Sequence, residues 1–398
     1  MIPRTLRPRL SELAGQYPVV YLTGPRQSGK TTLSRMTFPG FEYLSLEDLQ
    51  NREEATEDPR GFLRRLEGSP GTILDEVQRA PDLFSYIQGF VDDRRGGPLI
   101  LTGSQNFLLL EQITQSLAGR VAILELLPFS VAELSERPAM TPSEFEEGTS
   151  EVPIECDLDL DEMLYTGTYP AIHDRGLEAS TWLDGYVRTY VERDVRTIAN
   201  IGNLETFLRF LGLCAGRSGQ LLNRSSLGGD AGVDQKTVSR WISVLQASYI
   251  VDILRPHFEN FSRRLIKSPK LYFTDTGLLC RLLGIRSSAD LRNHPLRGAI
   301  FETFIVSEMR KLYLHHGQRP PLWFWRDSNG REVDLLLDLG GRRVPIEIKS
   351  SETVAGDFLK GLDRYLALSG DPWGVLVNGG SASYRRREHR IRPWFSCT

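Results

Sequence analysis

Gly24, Pro25, Arg26, Gln27, Ser28, Gly29, Lys30 and Thr31, with Thr32 directly after, have the spacing Gly, four residues, Gly-Lys-Thr. That pattern suits the gripping of phosphate. Glycines let the backbone curl so that successive N–H groups point inward, a following helix N-terminus adds its positive dipole end, and Lys30 supplies a point charge. Thr31 would place its hydroxyl on Mg²⁺. At average composition the pattern arises by chance about once in thirty thousand positions, or with about 1% odds in a chain this long. The apolar run Val19-Val20-Tyr21-Leu22 just ahead of it and the helix expected after it lower those odds further, so nucleotide binding is the fixed point, with ATP and Mg²⁺ the expected ligands.

A second polar set completes such a site. Thr72-Ile73-Leu74 is an apolar strand that ends in Asp75-Glu76; Asp75 would hold the Mg²⁺ water shell and Glu76 would polarise an attacking water. The strand Leu99-Ile100-Leu101-Thr102 ends in Gly103-Ser104-Gln105-Asn106. Polar side chains at a strand's carboxyl end lie where open α/β sheets bind ligands, which makes Ser104 or Gln105 a candidate γ-phosphate or water contact. A helix cap is the plain alternative for Ser104 or Asn106. Arg120, in Leu117-Ala118-Gly119-Arg120, is a candidate trans-acting finger that would complete a neighbouring subunit's site in a homo-oligomer, against the plain reading of a surface ion pair.

The last informative stretch runs from Arg331 to Lys349, with Gly340-Gly341 between two alternating runs. Two glycines there signal a tight hairpin in which cross-strand residue numbers always add to the same total, so Asp334 faces Glu347 and Glu332 faces Lys349. The register puts Val333, Leu335, Leu337, Val344, Ile346 and Ile348 on one face, and Asp334, Glu347 and Lys349 on the other. Two carboxylates that close repel, and a divalent cation between Asp334 and Glu347 would relieve them while Lys349 orients a water. This segment resembles the PD-(D/E)XK nucleases, and the resemblance implies that Glu302, on an upstream helix, is the first acidic position. Val333 stands where that family often has proline. A retained fold without cleavage, its carboxylates neutralised by Lys349 and nearby arginines, is the alternative.

Length and composition bound what positions these residues. A chain of 398 residues exceeds one ordinary core and points to two or three domains. Hydrophobic residues at 40%, charged residues at 25% and a net charge of −3 describe a soluble protein with no overall basic bias. Cys156, Cys214, Cys280 and Cys397 are scattered singly, which fits a reducing cytosol and a cytoplasmic location. The arginine- and proline-bearing start lacks an apolar core segment, and no later run approaches a membrane span. Strands at Val19–Leu22, 41–46, 72–75, Leu99–Thr102 and 121–126 alternate with helices, predicting a doubly wound parallel sheet with both faces covered.

Between these regions, the acidic stretch from Thr141 to Glu162, interrupted by Pro142 and Pro153, reads as a mobile connector. Trp182 to Arg196 resumes a helical pattern, and Arg193 is read as pinning a lid rather than reaching nucleotide. Three short helices and a strand follow between Glu205 and Arg255. Asp234 would cap a helix whose Val238, Trp241, Ile242 and Leu245 form one apolar stripe and whose other face carries Lys236, Ser239 and Arg240. This resembles a winged helix-turn-helix, with Arg263, Arg264, Lys267 and Lys270 as a basic wing, although such modules also dock proteins. Tyr384-Arg385-Arg386-Arg387 opens a basic tail.

The motifs GPRQSGKTT, ILDEVQRAPDLF, LTGSQNFLL and LAGR followed by ELLPFS resemble those of AAA+ ATPases, within a bacterial and archaeal group fused to a C-terminal domain of unknown function. The resemblance implies Lys30 and Thr31 as phosphate and metal contacts, Glu76 as the water-polarising residue, Ser104 or Gln105 as sensor and Arg120 as finger. The expected architecture is an α/β AAA+ domain over residues 1–135, an acidic connector and helical lid over 136–200, a winged helix over 201–285 and a restriction-endonuclease-like α/β domain over 286–398. The expected function is a Mg²⁺-dependent ATPase that binds DNA and carries a nuclease-like site. The alternative is a nucleotide-controlled switch that docks a protein partner through an inert C-terminal fold.

Overall fold

The computed structural model describes residues 1–93, 95–104, 116–148, 155–189, 203–257, 268–327 and 329–398. Two compact units divide them: residues 1–129 with 247–249 and 314–318, and the remainder.

In the first unit the five expected strands form one sheet. They are β1 (Val19–Thr23), β2 (Glu42–Ser45), β3 (Thr72–Asp75), β4 (Leu99–Gly103) and β5 (Val121–Glu125), in the order β2-β3-β4-β1-β5. All pairs are parallel. Every residue of β1, β3 and β4 is buried, as a sheet covered on both faces requires. Alternation sorts them: Val19, Tyr21, Leu74, Leu99 and Leu101 join one apolar cluster, while Val20, Leu22, Ile73 and Ile100 join the other. Helix α1 (Arg7–Gln16) gives Leu10 and Leu13 to the second cluster, and α2 (Lys30–Thr37) gives it Leu33. Helix α3 (Leu83–Asp92) seals the first with Leu83, Phe84 and Ile87.

The second unit opens on helices. The described part of the acidic stretch is more ordered than a bare connector: Pro142 occupies the first turn of the helix Pro142–Glu147, Thr141 and Glu144 cap it reciprocally, and Phe145 is fully buried. Asp161 is buried between Arg292 and Arg297. The expected helices are α4 (Leu204–Ala215), α5 (Arg224–Ala231) and α6 (Gln235–Ala247), followed by β6 (Val251–Leu254). Asp234 accepts from Thr237 N at 2.7 Å, and Val238, Trp241, Ile242 and Leu245 are buried as one stripe. Strand β7 (Lys270–Phe273) pairs antiparallel with β6.

Helix α7 (Arg297–Leu314) then leads into a six-stranded mixed sheet. Its strands are β8 (Leu322–Arg326), β9 (Glu332–Asp338), β10 (Arg343–Lys349), β11 (Gly374–Asn378), β12 (Tyr384–Arg386) and β13 (His389–Pro393), with α8 (Lys360–Ser369) between β10 and β11. The β9–β10 register runs Asp338 to Arg343, Leu337 to Val344, Leu336 to Pro345 and Leu335 to Ile346, as the glycine pair dictates. The expected face assignment fails at one residue. Between Trp323 and Trp325, β8 advances two positions while β9 passes from Leu336 to Val333, so β9 carries a bulge at Asp334–Leu335. Val333 therefore packs with Trp325 and Leu336, away from the cluster holding Leu335 and Leu337. The basic tail is also partly structural: Arg392 is buried and lies 5.0 Å from the Phe145 ring centroid.

Candidate functional site

The glycine-rich loop joins β1 to α2 and has the shape of a phosphate cradle. Gly24 has φ +147°, and a Cβ there would come within 2.2 Å of the Leu126 carbonyl oxygen. Gly29, at φ +92°, turns the chain into α2. Gly24, Pro25, Ser28 and Lys30 are buried, Arg26 is half-buried, and Gln27 and Thr32 are exposed. Lys30 is 6% exposed, and its Nζ donates to the carbonyls of Gly24 at 3.1 Å and Pro25 at 2.8 Å. Burial pulls its pKa down to about 8 against the pull of Glu76 and Asp75. The hydroxyl of Ser28 is buried without a partner among the described residues.

Across the loop, Thr31 Oγ1 donates to both oxygens of Asp75 at 3.0 Å. Tyr43 donates to Asp75 Oδ2 at 2.9 Å, and Thr102 donates to Oδ1. Asp75 is thus held at the end of β3 by three hydroxyls. Glu76, half-buried, has a left-handed φ of +58°, a conformation that non-glycine residues adopt at a cost and that collects at functional sites. Burial raises its carboxyl pKa; Lys30 opposes the shift and Asp75 adds to it. Sequence reasoning missed Gln78, whose Nε2 donates to Glu76 and, at 3.3 Å, to Ser104 Oγ. Its spacing of two from Glu76 was the only cue, and the kinked backbone that brings it back is not readable from residue types. Gln105 and Arg193 lie outside the described residues. Arg120 is engaged with Asp92, Nε to Oδ1 at 2.5 Å and Nη2 to Oδ2 at 2.9 Å.

An ATP phosphate chain with Mg²⁺ fits these residues. The cradle has no room for a Cβ at Gly24, a buried ammonium has only carbonyl hydrogen-bond partners among the described residues, and a hydroxyl-carboxylate pair of the kind that binds Mg²⁺ stands ready beside it. Lys30, Thr31 and Asp75 would hold the nucleotide and its ion.

The C-terminal acidic residues meet differently. Carboxylate oxygens of Glu302, from α7, and of Glu332 and Asp334, from β9, lie within 4.8 Å of one another. Into this group reaches Lys270 from β7, 2% exposed, with Nζ 2.9 Å from Glu302 Oε1 and in contact with Glu332. Tyr272 donates to the same Glu302 oxygen at 2.6 Å. Arg326 Nη1 donates to Glu332 at 2.8 Å, and Asp334 Oδ2 accepts from the Ile348 amide at 2.8 Å. Glu347 pairs with Lys349 at 2.5 Å, its other oxygen buried without a partner among the described residues, while Lys349 lies 3.7 Å from Asp334.

Burial alone would lower the Lys270 pKa, but Glu302, Asp334 and Glu332 hold it above the usual lysine value. Burial and Asp334 raise Glu302. The same two causes push Glu347 up to about 8. Lys270 as part of an exposed basic wing is therefore corrected: it is an interior cation, placed there by the alternation of Lys270 and Tyr272 along β7. The other three wing residues lie outside the described set. A divalent metal does not fit this cluster as it is folded, because an ammonium already stands among its oxygens.

The fold and first site define the class: the chain carries a P-loop AAA-type ATPase domain, and residues 16–135 match the family model of an AAA domain. Residues 157–289 and 297–395 match models described as domains of unknown function, DUF8612 and DUF4143. The chain belongs to the family of the uncharacterized protein Rv2008c of Mycobacterium tuberculosis, to which it is 34% identical over 352 residues, 87% of this chain and 73% of that protein. The uncharacterized protein Mb2031c of Mycobacterium bovis matches to the same extent. Among solved structures, the chain is similar to the Walker-type ATPase PABY2304 of Pyrococcus abyssi, with 17% identity, TM-score 0.40, and 70% of this chain and 94% of that one covered. It is similar also to the RuvB Holliday junction branch migration motor of Thermotoga maritima, with 18% identity, TM-score 0.33, and coverage of 63% and 89%. Likenesses this distant bear on no residue's role. Among the described residues, no helix is long and apolar enough to cross a membrane.

Proposed function

We propose that this protein is a Mg²⁺-dependent ATP hydrolase whose nucleotide state governs contact with DNA. The observation that carries the reading is the buried Lys30, held by loop carbonyls at the mouth of a glycine cradle beside the Thr31–Asp75 pair. Lys30 and the loop amides bind the β- and γ-phosphates, Thr31 and Asp75 hold the ion with its water shell, and Glu76 accepts the proton of the attacking water. Gln78 orients Glu76 and ties it to Ser104, a γ-phosphate contact. Bound Mg²⁺ supplies charge neutralisation on the phosphates. Arg120 acts as a finger only if a second subunit draws it from Asp92.

DNA contact is assigned to the exposed face of α6, where Lys236 and Arg240 stand on a helix-turn-helix-like pair, with β6 and β7 as the wing. The six-stranded sheet is read as PD-(D/E)XK-like, from Glu302, Asp334, Glu347 and Lys349. A second reading, a nucleotide-controlled switch that docks a protein partner with its C-terminal fold inert, is favoured by the ammonium that fills the acidic cluster.

Hydrolysis by wild type, Lys30→Ala and Glu76→Gln tests the first half; wild-type turnover no faster than that of both variants defeats it. DNA binding that weakens steeply with salt supports the DNA reading, and absent or salt-insensitive binding supports the switch. Metal-dependent cleavage lost in Asp334→Ala and Lys349→Ala would exclude the inert fold.

A further inference from the structure

The neutralisation of the acidic cluster comes from within the second unit but from outside the sheet that bears it. Glu332 and Asp334 sit on β9 and Glu302 on α7, whereas Lys270 opens β7. Lys270 also bridges to Leu221, and the Gly219 amide donates to the Leu271 carbonyl at 2.7 Å, so β7 is tied on one side to the loop after α4 and on the other to β6. The strand delivers one cation to one place. Tyr272, two residues on and on the same face, adds a hydroxyl to Glu302.

Among the described residues, the cations paired with these carboxylates are Lys270 on Glu302 and Glu332, Arg326 on Glu332, and Lys349 on Glu347 and, at 3.7 Å, on Asp334. Among the described residues, Lys270 is the cation that touches two of the cluster's three carboxylates. A hard divalent ion needs the same oxygens that this ammonium touches, and it cannot share them with a fixed like charge.

We propose that Lys270 is the resident cation of the acidic site, an internal plug that excludes divalent metal. The proposal rests on the reading of the six-stranded sheet as PD-(D/E)XK-like. It makes metal and Lys270 mutually exclusive occupants, so the site is silent in the conformation described here and any metal-dependent DNA chemistry is conditional on displacement of Lys270.

The test uses nucleotide-free full-length protein and Mn²⁺ as probe, followed by electron paramagnetic resonance and by thermal melting. Wild type and Asp334→Asn are expected to bind Mn²⁺ alike, with no signal traceable to the cluster. Lys270→Met is expected to gain one bound Mn²⁺ per chain, and Lys270→Met combined with Asp334→Asn to lose it again. If Lys270→Met is too unstable to isolate in metal-free buffer, Mn²⁺ is expected to restore its melting transition while leaving that of wild type unmoved. Asp334-dependent Mn²⁺ binding by wild type overturns the plug and leaves the nuclease-like reading standing. Failure of both wild type and Lys270→Met to gain Mn²⁺ by binding or by melting overturns the plug together with that reading. ATP turnover is indifferent to either result.

Discussion

Two buried lysines divide the chemistry of this molecule. Lys30 is wrapped by a glycine loop, donates to two backbone carbonyls and has its pKa drawn down to about 8 by burial. Lys270 is as deeply buried but stands among Glu302, Glu332 and Asp334, which keep its pKa above the ordinary lysine value. Burial charges both the same desolvation cost, and the difference lies in what offsets it. Carbonyl dipoles leave Lys30 short of a counter-ion, so a triphosphate improves its surroundings. Carboxylates leave Lys270 satisfied, so an incoming cation must displace it.

The largest expected effect comes from breaking the satisfied partner. Lys270→Ala takes the buried cation from Glu302 and Glu332 and should destabilise the second unit by about 3–5 kcal/mol, read from urea unfolding followed by tryptophan fluorescence; Lys30→Ala, which removes a poorly paired charge, should cost the nucleotide-free protein far less. Equal losses for the two would erase the contrast. In ATP turnover the order reverses: Lys30→Ala should lower kcat by about 10²–10³, whereas Lys270→Ala, where it folds, should leave the steady-state rate near wild type.

A pH titration sharpens the comparison. The Lys30 pKa of about 8 lies below its ordinary value of 10.5, so the folded apo protein releases this proton before the unfolded chain does. The burial penalty is therefore full below pH 8 and is relieved as pH climbs from 8 towards 10.5. Nucleotide needs the charged form, so ATP affinity should fall by about 30-fold between pH 7 and 9.5, with proton uptake on binding near pH 8.5 measurable by calorimetry in buffers of different ionisation enthalpy. A flat affinity profile would show that Lys30 is already satisfied. Gln78→Ala should reduce kcat about tenfold with KM for ATP nearly unchanged, because Glu76 loses its orienting amide. The smallest effect is at Arg120: its pair with Asp92 is solvent-screened, so Arg120→Ala should hardly move the melting temperature, and a drop in turnover at high protein concentration alone would reveal a finger role.

The first of the two lysines was legible in the sequence and the second was not. A P-loop is a local device: the glycines, the lysine and the preceding strand are neighbours in the chain, and the parallel sheet follows from strand-helix alternation. The hairpin register was equally local, since Gly340-Gly341 fixes each pair as far as Leu335 and Ile346. Beyond that point the bulge at Asp334–Leu335 resets the alternation, and no residue type announces it. The link from Lys270 to Glu302 and Glu332 joins three elements far apart in the chain, so only tertiary packing reveals that a basic residue near an expected wing is a core ion partner. Phe145 teaches the same lesson from the other side: one buried aromatic ring converts an acidic run that reads as solvated into an anchored helix.

The central claim, that the glycine loop and its under-satisfied lysine are built for a nucleoside triphosphate, is tested most directly by equilibrium titration of wild type and Lys30→Ala with a fluorescent ATP analogue and Mg²⁺ at pH 7. Saturable binding by wild type, displaced by unlabelled ATP and lost in Lys30→Ala, is the predicted result. No competable binding by wild type, or binding that survives the substitution unchanged, would contradict it.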